Sequence, residues 1–260
     1  MPKGKGRRVK RKNVAASDGW TVVTHSDSNS SATNGASSSL EDARPKRTVD
    51  GLTVDRLLED LGKLQSRWEE TPCARQLTDI LGKREWKVEQ AVCIGIGSFS
   101  LDWEHRHRSM WQLVLFLAVV KLVTISKPQL KLFAQEPAFT PLDIDLLSAV
   151  SINVLTTNIE SHITSKSFVF APFVDWNLLL PIFLKDKDPD LYIGNEILDD
   201  YGPYARTEEK ERRRKECEAI AQGFLKGRQS MKVPEFSLHA HALNGLVSSH
   251  KVQKSTGEQE

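Results

Sequence analysis

The feature that most constrains the fold is a regular alternation, from residue 90 onward, of short apolar segments with helical segments. Five segments have the length and composition of buried strands: "AVCIGIG", "LKLFAQEP", "SINVLTT", "SFVFAP" and "LYIGNEI". Between the first two lies "SMWQLVLFLAVVKLVTI", a helix that is apolar nearly all round. Strands that are apolar throughout and separated by helices are typical of a parallel sheet covered on both faces. The sequence therefore predicts an α/β, Rossmann-like three-layer fold with a mostly parallel sheet.

Further helices flank this predicted sheet. Residues 52–70 carry leucines and Trp68 at helical spacing, which indicates an amphipathic helix. Thr71 and Pro72 supply an N-cap and a first-turn proline for a second helix. Residues 207–227 form a highly charged third helix whose apolar positions gather at its end. We interpret all three as packing elements.

Composition divides the chain into three parts. Residues 1–48 are rich in Ser, Asn, Gly, Lys and Arg, and such a segment buries too little apolar surface to offset the entropy of ordering. We therefore expect a disordered N-terminal tail. Residues 52–245 form a single α/β domain with a core at about 80–201, and the polar residues 246–260 are expected to form a flexible C-terminal tail.

Charge and cysteine content indicate the compartment and the partners. The formal net charge is only +2, but residues 1–12 are strongly basic and contain no acidic residue. This segment is typical of a solubilising tail, of a nuclear-import signal or of a weak nucleic-acid contact. Cys73, Cys93 and Cys217 lie far apart without a zinc-binding spacing, as expected for a reducing compartment and for a protein without a metal site.

No membrane span is expected, because the longest apolar run contains Lys121 and falls short of the roughly 20 residues that cross a bilayer. We predict a protein of the cytoplasm and the nucleus.

Polar and flexible residues follow the predicted strands, at the edge where open parallel sheets bind ligands. Glycines allow close approach of the backbone to a phosphate, and an acidic residue after the second strand often binds a ribose. These features predict a nucleotide-like ligand, whose identity the residues leave open. The candidate ligand-binding residues are Gly95, Gly97, Ser98, Ser100, Glu136, Asn158, Glu160 and Asn195.

A second interpretation is that the glycines only form a tight turn beneath a packed sheet. Ser100 stands where a dinucleotide-binding fingerprint has its third glycine, and Cys93-Ile94 stand where a methyltransferase motif has an acid. Glu136 also lies much farther along the chain than the usual roughly 20 residues. Both interpretations stay open on the sequence.

The order of the motifs "CIGIGSFS", "QLVLFLAVV", "EPAFTPLDIDLL", "VLTTNIES", "FVFAPFVDWNLL" and "LYIGNEI" resembles that of the SRR-like family, named for sensitivity to red light reduced. The resemblance covers roughly residues 80–201, and the basic, low-complexity N-terminus resembles that of fungal members. The family is linked to light signalling and circadian regulation and has no securely assigned reaction. The resemblance therefore implies a regulatory protein.

The resemblance also identifies signature positions and departures from them. Glu136 replaces an aspartate of the family, Ser161-His162 replace a glycine, and Phe173-Val174 replace a His-Cys pair. Loss of that pair favours a non-catalytic regulatory protein with protein partners and a small-ligand pocket. The alternative is an enzyme or a ligand-dependent switch that binds a nucleotide or an S-adenosylmethionine-like molecule. The matching signature positions are Gly95, Gly97, Ser98, Ser100, Gln112, Pro137, Asp143, Asn158, Glu160, Pro172 and Asn195.

Overall fold

The computed structural model describes residues 10–15, 21–26, 47–102, 105–124 and 130–252. They belong to two compact units, residues 1–47 and 48–260. In the first unit, β1 (Lys10–Ala15) pairs antiparallel with β2 (Thr21–Ser26). This hairpin differs from the disorder predicted for residues 1–48. The predicted disorder of residues 1–9, 16–20 and 27–46 lies outside the described residues.

The second unit begins with two helices, α1 (Val54–Glu69) and α2 (Pro72–Leu81). The hydroxyl of Thr53 accepts a hydrogen bond from the Arg56 amide, and that of Thr71 accepts one from the Ala74 amide. Such caps satisfy amides that have no partner inside the helix. Both predicted N-terminal helices are therefore confirmed.

The remaining elements alternate as the sequence predicts up to the end of the fifth parallel strand. Pro181 lies in a π-helical segment, Leu179–Leu184, because a proline cannot donate the regular helical hydrogen bond. The elements are β3 (Gln90–Ile94), α3 (Arg106–Val123), β4 (Lys131–Gln135), α4 (Pro141–Ala149), β5 (Ile152–Val154), β6 (Ser167–Ala171), α5 (Trp176–Leu178), β7 (Leu191–Asn195), α6 (Glu208–Leu225), β8 (Arg228–Lys232), α7 (Ala240–Leu243) and β9 (Leu246–Lys251).

The seven-stranded sheet has the order β5-β4-β3-β6-β7-β9-β8. The strands from β5 to β7 are parallel, and β9 is antiparallel to both of its neighbours. The chain moves outward from β3 through β4 to β5 and then returns to place β6 on the other side of β3. This topological switch point between β3 and β6 is where open α/β sheets bind their ligands. The predicted Rossmann-like fold with a mostly parallel sheet is confirmed.

The predicted flexible tail from residue 246 is wrong for residues 246–251, because they form β9 inside the sheet. Ser248 and Ser249 are buried there. The Ser248 hydroxyl donates to the Met231 carbonyl, and the Ser249 hydroxyl accepts from the Arg228 guanidinium at 3.2 Å. These bonds satisfy polar groups that would otherwise be buried without partners. The polar composition of residues 246–251 is therefore the reason that the sequence analysis missed this strand.

Helices cover both faces of the sheet. On one face, the Phe116 ring of α3 stacks on Phe168 of β6 with ring centres 5.6 Å apart. On the other face, Tyr192 of β7 meets the edge of Phe224 of α6 at 5.8 Å. Side chains alternate between the faces along each strand, so the two contacts place α3 and α6 in opposite layers. None of the described helices is long and apolar enough to cross a membrane.

Candidate functional site

The loop after β3 takes its shape from two glycines. Gly95 has φ +73° and Gly97 has φ +78°. This left-handed region is readily accessible only to glycine among the common residues. The Gly95 amide also donates to the Gln135 carbonyl at 3.2 Å, which ties the loop to the end of β4. Residues with side chains would strain this part of the loop.

Ser98 and Ser100 continue the loop inward, and both are 0% exposed. The Ser98 hydroxyl donates to Asp143 Oδ2 at 2.6 Å, and the Ser100 hydroxyl lies 2.7 Å from that of Thr140. The Phe99 amide donates to Asp143 Oδ1 at 3.0 Å. The structure thus gives the two serines an internal role in fixing the loop. Their contact with a ligand stays a prediction.

Asp143 joins this loop to the start of α4. Its Oδ2 accepts from the Thr140 amide at 2.8 Å, while the Thr140 hydroxyl accepts from the Asp143 amide at 3.3 Å. This reciprocal arrangement is a capping box. One buried carboxylate therefore holds two elements of the carboxyl edge together.

Glu136 follows β4 directly and lies beside the glycine loop. Its Oε2 accepts from the Gly97 amide at 3.1 Å, and its Oε1 accepts from the Ala138 amide at 2.9 Å. The two residues are 39 positions apart in the chain, yet the parallel pairing of β3 with β4 brings them into contact. The acid and the glycine loop therefore form one structural unit.

Asn158 and Glu160 lie beyond β5, at the outer side of this unit. Asn158 is exposed with φ +61° and begins a short 3₁₀ helix, Ile159–His162, that contains the half-buried Glu160. Asparagine tolerates this left-handed conformation better than most residues do. The Ile159 amide donates to Gln135 Oε1 at 3.2 Å, which fixes the turn against β4.

Asn195 lies on the opposite side of the switch point, at the end of β7. Its side-chain amide donates to the Val174 carbonyl at 3.0 Å, and its carbonyl accepts from the buried Tyr192 hydroxyl at 2.9 Å. Burial raises the pKa of Tyr192, so this hydroxyl remains a donor. Asn195 thus fixes the turn that follows β6.

All eight predicted residues lie at the carboxyl edge of the sheet, but the edge is broad. Neighbouring strands are about 4.8 Å apart, so the four intervals from β5 to β7 amount to roughly 19 Å. Asn158 and Asn195 therefore stand on opposite sides of the glycine loop. Among the eight, Gly97 is in direct contact with Glu136, and Ser98 with Ser100.

Two further features of this edge bear on chemistry. Burial, with a smaller contribution from the charge of Glu136, raises the pKa of the Cys93 thiol well above its ordinary value, which disfavours the nucleophilic thiolate. Phe173, directly after β6, has φ +60° and is 41% exposed. The Arg108 guanidinium lies 5.2 Å from the centre of its ring. A phenylalanine in this conformation is strained. The sequence analysis names Phe173 as part of the replaced His-Cys pair, but no sequence signal indicates its backbone conformation.

A cavity of about 720 Å³ lies between α1, α2 and α3. None of the eight predicted residues lines it, so it is separate from the carboxyl edge. The sequence analysis missed it, because helices at amphipathic spacing indicate packing whether or not they leave a gap. The apolar lining of the cavity consists of Trp68, Ala74, Leu77, Val114, Leu117, Ala118 and Leu122.

No group of three or more His, Cys, Asp or Glu residues in the described ranges is placed to hold a metal.

The strand order and the position of the glycine loop define a Rossmann-like α/β protein. Residues 63–249 match the model of the SRR1 domain. The chain belongs to this family, which confirms the resemblance seen in residues 80–201 and extends it to α2 and β9.

The solved structures that the chain matches are distant in sequence. Cofactor-bound Rv0187 from MTB has 11% identity over 76% of this chain and 90% of that chain, with a TM-score of 0.35. The plantazolicin methyltransferase BpumL, in complex with a monoazolic desmethylPZN analog and SAH, has 11% identity over 76% of this chain and 100% of that chain, with a TM-score of 0.29. No curated protein matches the chain.

Proposed function

We propose that the protein is a non-catalytic regulator that binds a nucleotide-like molecule at the carboxyl edge, beside the unit formed by the glycine loop and Glu136. The observation that carries the proposal is the hydrogen bond from the Gly97 amide to Glu136 Oε2 at 3.1 Å. It brings a glycine loop and an acid together at the ends of the first two parallel strands. In Rossmann-like folds these positions hold a phosphate-bearing ligand and its ribose.

Glu136 is suited to accept hydroxyl groups. A carboxylate oxygen can accept more than one hydrogen bond, and the oxygens of Glu136 accept from the Gly97 and Ala138 amides. These two bonds also hold the carboxylate in one orientation, so that little entropy is lost when a ligand binds. A ribose offers vicinal hydroxyl donors, which is the chemistry that such a fixed acceptor recognises.

Two observations support a role without catalysis. The Cys93 thiol beneath the loop has a raised pKa because of burial and the charge of Glu136, so it is a poor nucleophile. The Ser98 hydroxyl donates to Asp143, and the two groups form part of the framework that fixes the loop. Together with the Phe173-Val174 replacement of the family's His-Cys pair, they favour binding over turnover.

The regulatory part of the proposal follows from family membership and from the basic segment at residues 1–12. We expect action through protein partners in the cytoplasm and the nucleus, in the light-signalling and circadian context that the SRR-like resemblance implies, with a weak nucleic-acid contact through the basic segment. The basic, low-complexity N-terminus supports a fungal origin.

A second candidate is an enzyme or a ligand-dependent switch that binds a nucleotide or an S-adenosylmethionine-like molecule. The strained, exposed Phe173 at the switch point favours it, because backbone strain of this kind concentrates at ligand clamps and switches. Steady turnover of a nucleotide or methyl-donor substrate by the purified protein would establish this candidate.

A thermal-shift comparison of three proteins tests the proposed binding. The full chain, Glu136→Gln and the control Glu89→Gln are each heated with AMP, NAD or S-adenosylmethionine. Glu89 is an exposed residue just before β3, at the edge of the sheet opposite the carboxyl edge, and it is paired with Lys166 at 2.6 Å. A ligand at 100 times its Kd stabilises by about 2.7 kcal/mol, or roughly 5–10 °C for a domain of this size.

We expect one of these compounds to stabilise the parent protein and Glu89→Gln equally, and Glu136→Gln much less. An equal shift in all three proteins, or no shift with any compound, would contradict the proposal.

A further inference from the structure

Two buried oxygen atoms after β6 have no hydrogen-bond donor. Asp175 Oδ1 and Asn177 Oδ1 are both buried, and neither has a hydrogen-bond partner in the part of the chain that the structure describes. Asn177 as a whole is only 7% exposed. A buried acceptor without a donor destabilises a protein by about 1–3 kcal/mol, and native structures contain few of them. Two such oxygens, two residues apart in one turn, indicate a site for a donor that the described part of the chain does not supply.

The Asp175 side chain does not cap the helix that follows it. It is the N-cap of α5, where an aspartate usually accepts a hydrogen bond from an amide of the first turn. Its side chain makes no such bond. Oδ2 instead pairs with the ammonium of Lys210, with about a quarter of each side chain exposed. Because this pair is already balanced in charge, the site favours a neutral donor over a cation.

Aromatic packing and one further hydrogen bond hold the turn in place. Trp176, between the two acceptor residues, stacks on Tyr201 with ring centres 4.6 Å apart. The Asn195 side chain donates to the Val174 carbonyl just before Asp175. A fixed turn keeps both oxygens in position, so that a ligand does not have to order them.

We infer that Asp175 and Asn177 form an acceptor subsite for a neutral NH₂ group, of the kind found in adenine or in a primary carboxamide. Such a group offers two donor hydrogens and no charge, which is the chemistry that unpartnered oxygen acceptors beside a neutralised ion pair recognise. β6 adjoins β3, so this subsite lies across the switch point from Glu136, two strand intervals or about 10 Å along the edge. Glu136 binds the hydroxyl-bearing end of the ligand, and the subsite binds its amino-bearing end. This inference therefore rests on the proposed function.

Matched ligand pairs test the subsite by titration of the full chain, with Kd measured by NMR. Adenosine is compared with purine riboside, and nicotinamide with 3-acetylpyridine; each second compound lacks the NH₂ group. We expect about tenfold tighter binding of an amino compound than of its partner, as one or two hydrogen bonds provide. A preference confined to the adenosine pair identifies adenine as the source, and one confined to nicotinamide identifies a carboxamide.

Asn177→Leu, which removes the acceptor and keeps the branching of the side chain, should reduce the preference to less than twofold. Asn153→Leu, at an exposed position of β5, should retain it. A preference below twofold in the parent, no binding of any of the four compounds, or an undiminished preference in Asn177→Leu would overturn the inference. If Asn177→Leu does not fold, Asp175→Ala is judged by the same criterion.

The two proposals fail in different ways. Purine riboside binding that is lost in Glu136→Gln, with no advantage for adenosine over purine riboside or for nicotinamide over 3-acetylpyridine, supports the ribose site and overturns the subsite. A nicotinamide preference without riboside binding supports the subsite and overturns the ribose site, because nicotinamide has no ribose.

Discussion

Asp143 provides the sharpest test of how the glycine loop is held. It is 0% exposed and accepts three hydrogen bonds, from the Ser98 hydroxyl, the Phe99 amide and the Thr140 amide. Asp143→Asn replaces one acceptor oxygen by an NH₂ group of the same size. A hydroxyl can rotate to suit the new group, but an amide N–H cannot, so either Phe99 or Thr140 loses its acceptor.

One buried amide without a partner costs about 1–3 kcal/mol, and the remaining bonds lose their charge assistance. We therefore expect a loss of about 2–4 kcal/mol out of a typical total of roughly 5–15 kcal/mol. Urea denaturation at constant m value measures it as a lower midpoint. Asp145→Asn, at an exposed position on the same helix, should leave the midpoint unchanged. A stability of Asp143→Asn within about 0.5 kcal/mol of the parent would refute this account of the loop.

Two further predictions concern backbone strain and buried thiols. Gly97→Ala should lower the free energy of unfolding by about 1–2 kcal/mol, because the φ angle of Gly97 is +78°. Gly62→Ala, in open space on α1, should raise it by about 0.5–1 kcal/mol. If thermal unfolding ranks the two variants in the reverse order, the assigned loop geometry is wrong. Burial raises the pKa of Cys73 and of Cys217 to about 11 from 9.0, so their contribution to stability is present below pH 9 and lost as the pH rises through about 11. In the folded protein at pH 8 a thiol reagent should modify neither residue, and rapid labelling without denaturant would show that their burial is wrong.

The sequence predicted the placement of candidate residues in those cases in which local chemistry and sheet topology determine it. Continuous apolar strands imply parallel pairing, and parallel pairing alone brings Glu136 next to the glycine loop. Thr140 and Pro141 predict the start of α4 because the cap involves only neighbouring residues. The direction of the Ser98 hydroxyl depends on Asp143, which is 45 residues away, and the sequence pattern contains no information about it.

The features that the sequence analysis missed depend on tertiary contacts. The strand β9 contains buried serines and a histidine, and only the pairing of β9 with β7 and β8 makes this composition stable in a sheet. Asp175 and Asn177 are unusual because their buried oxygens have no hydrogen-bond donor among the described residues. This property depends on the tertiary structure, so no sequence motif identifies it. The sequence analysis named Phe173 only as part of the replaced His-Cys pair, and its left-handed backbone conformation has no signal in the sequence.

The central claim, that a ligand binds at the carboxyl edge, is tested most directly by mapping a bound ligand on the amide NMR spectrum of the full chain. AMP, NAD and S-adenosylmethionine are titrated in turn. We predict that the compound that binds shifts the amides of Gly95, Gly97 and Ala138, because these lie in the loop and beside Glu136. Shifts concentrated instead at Trp68 and Leu117, in the cavity between the helices, would contradict the account.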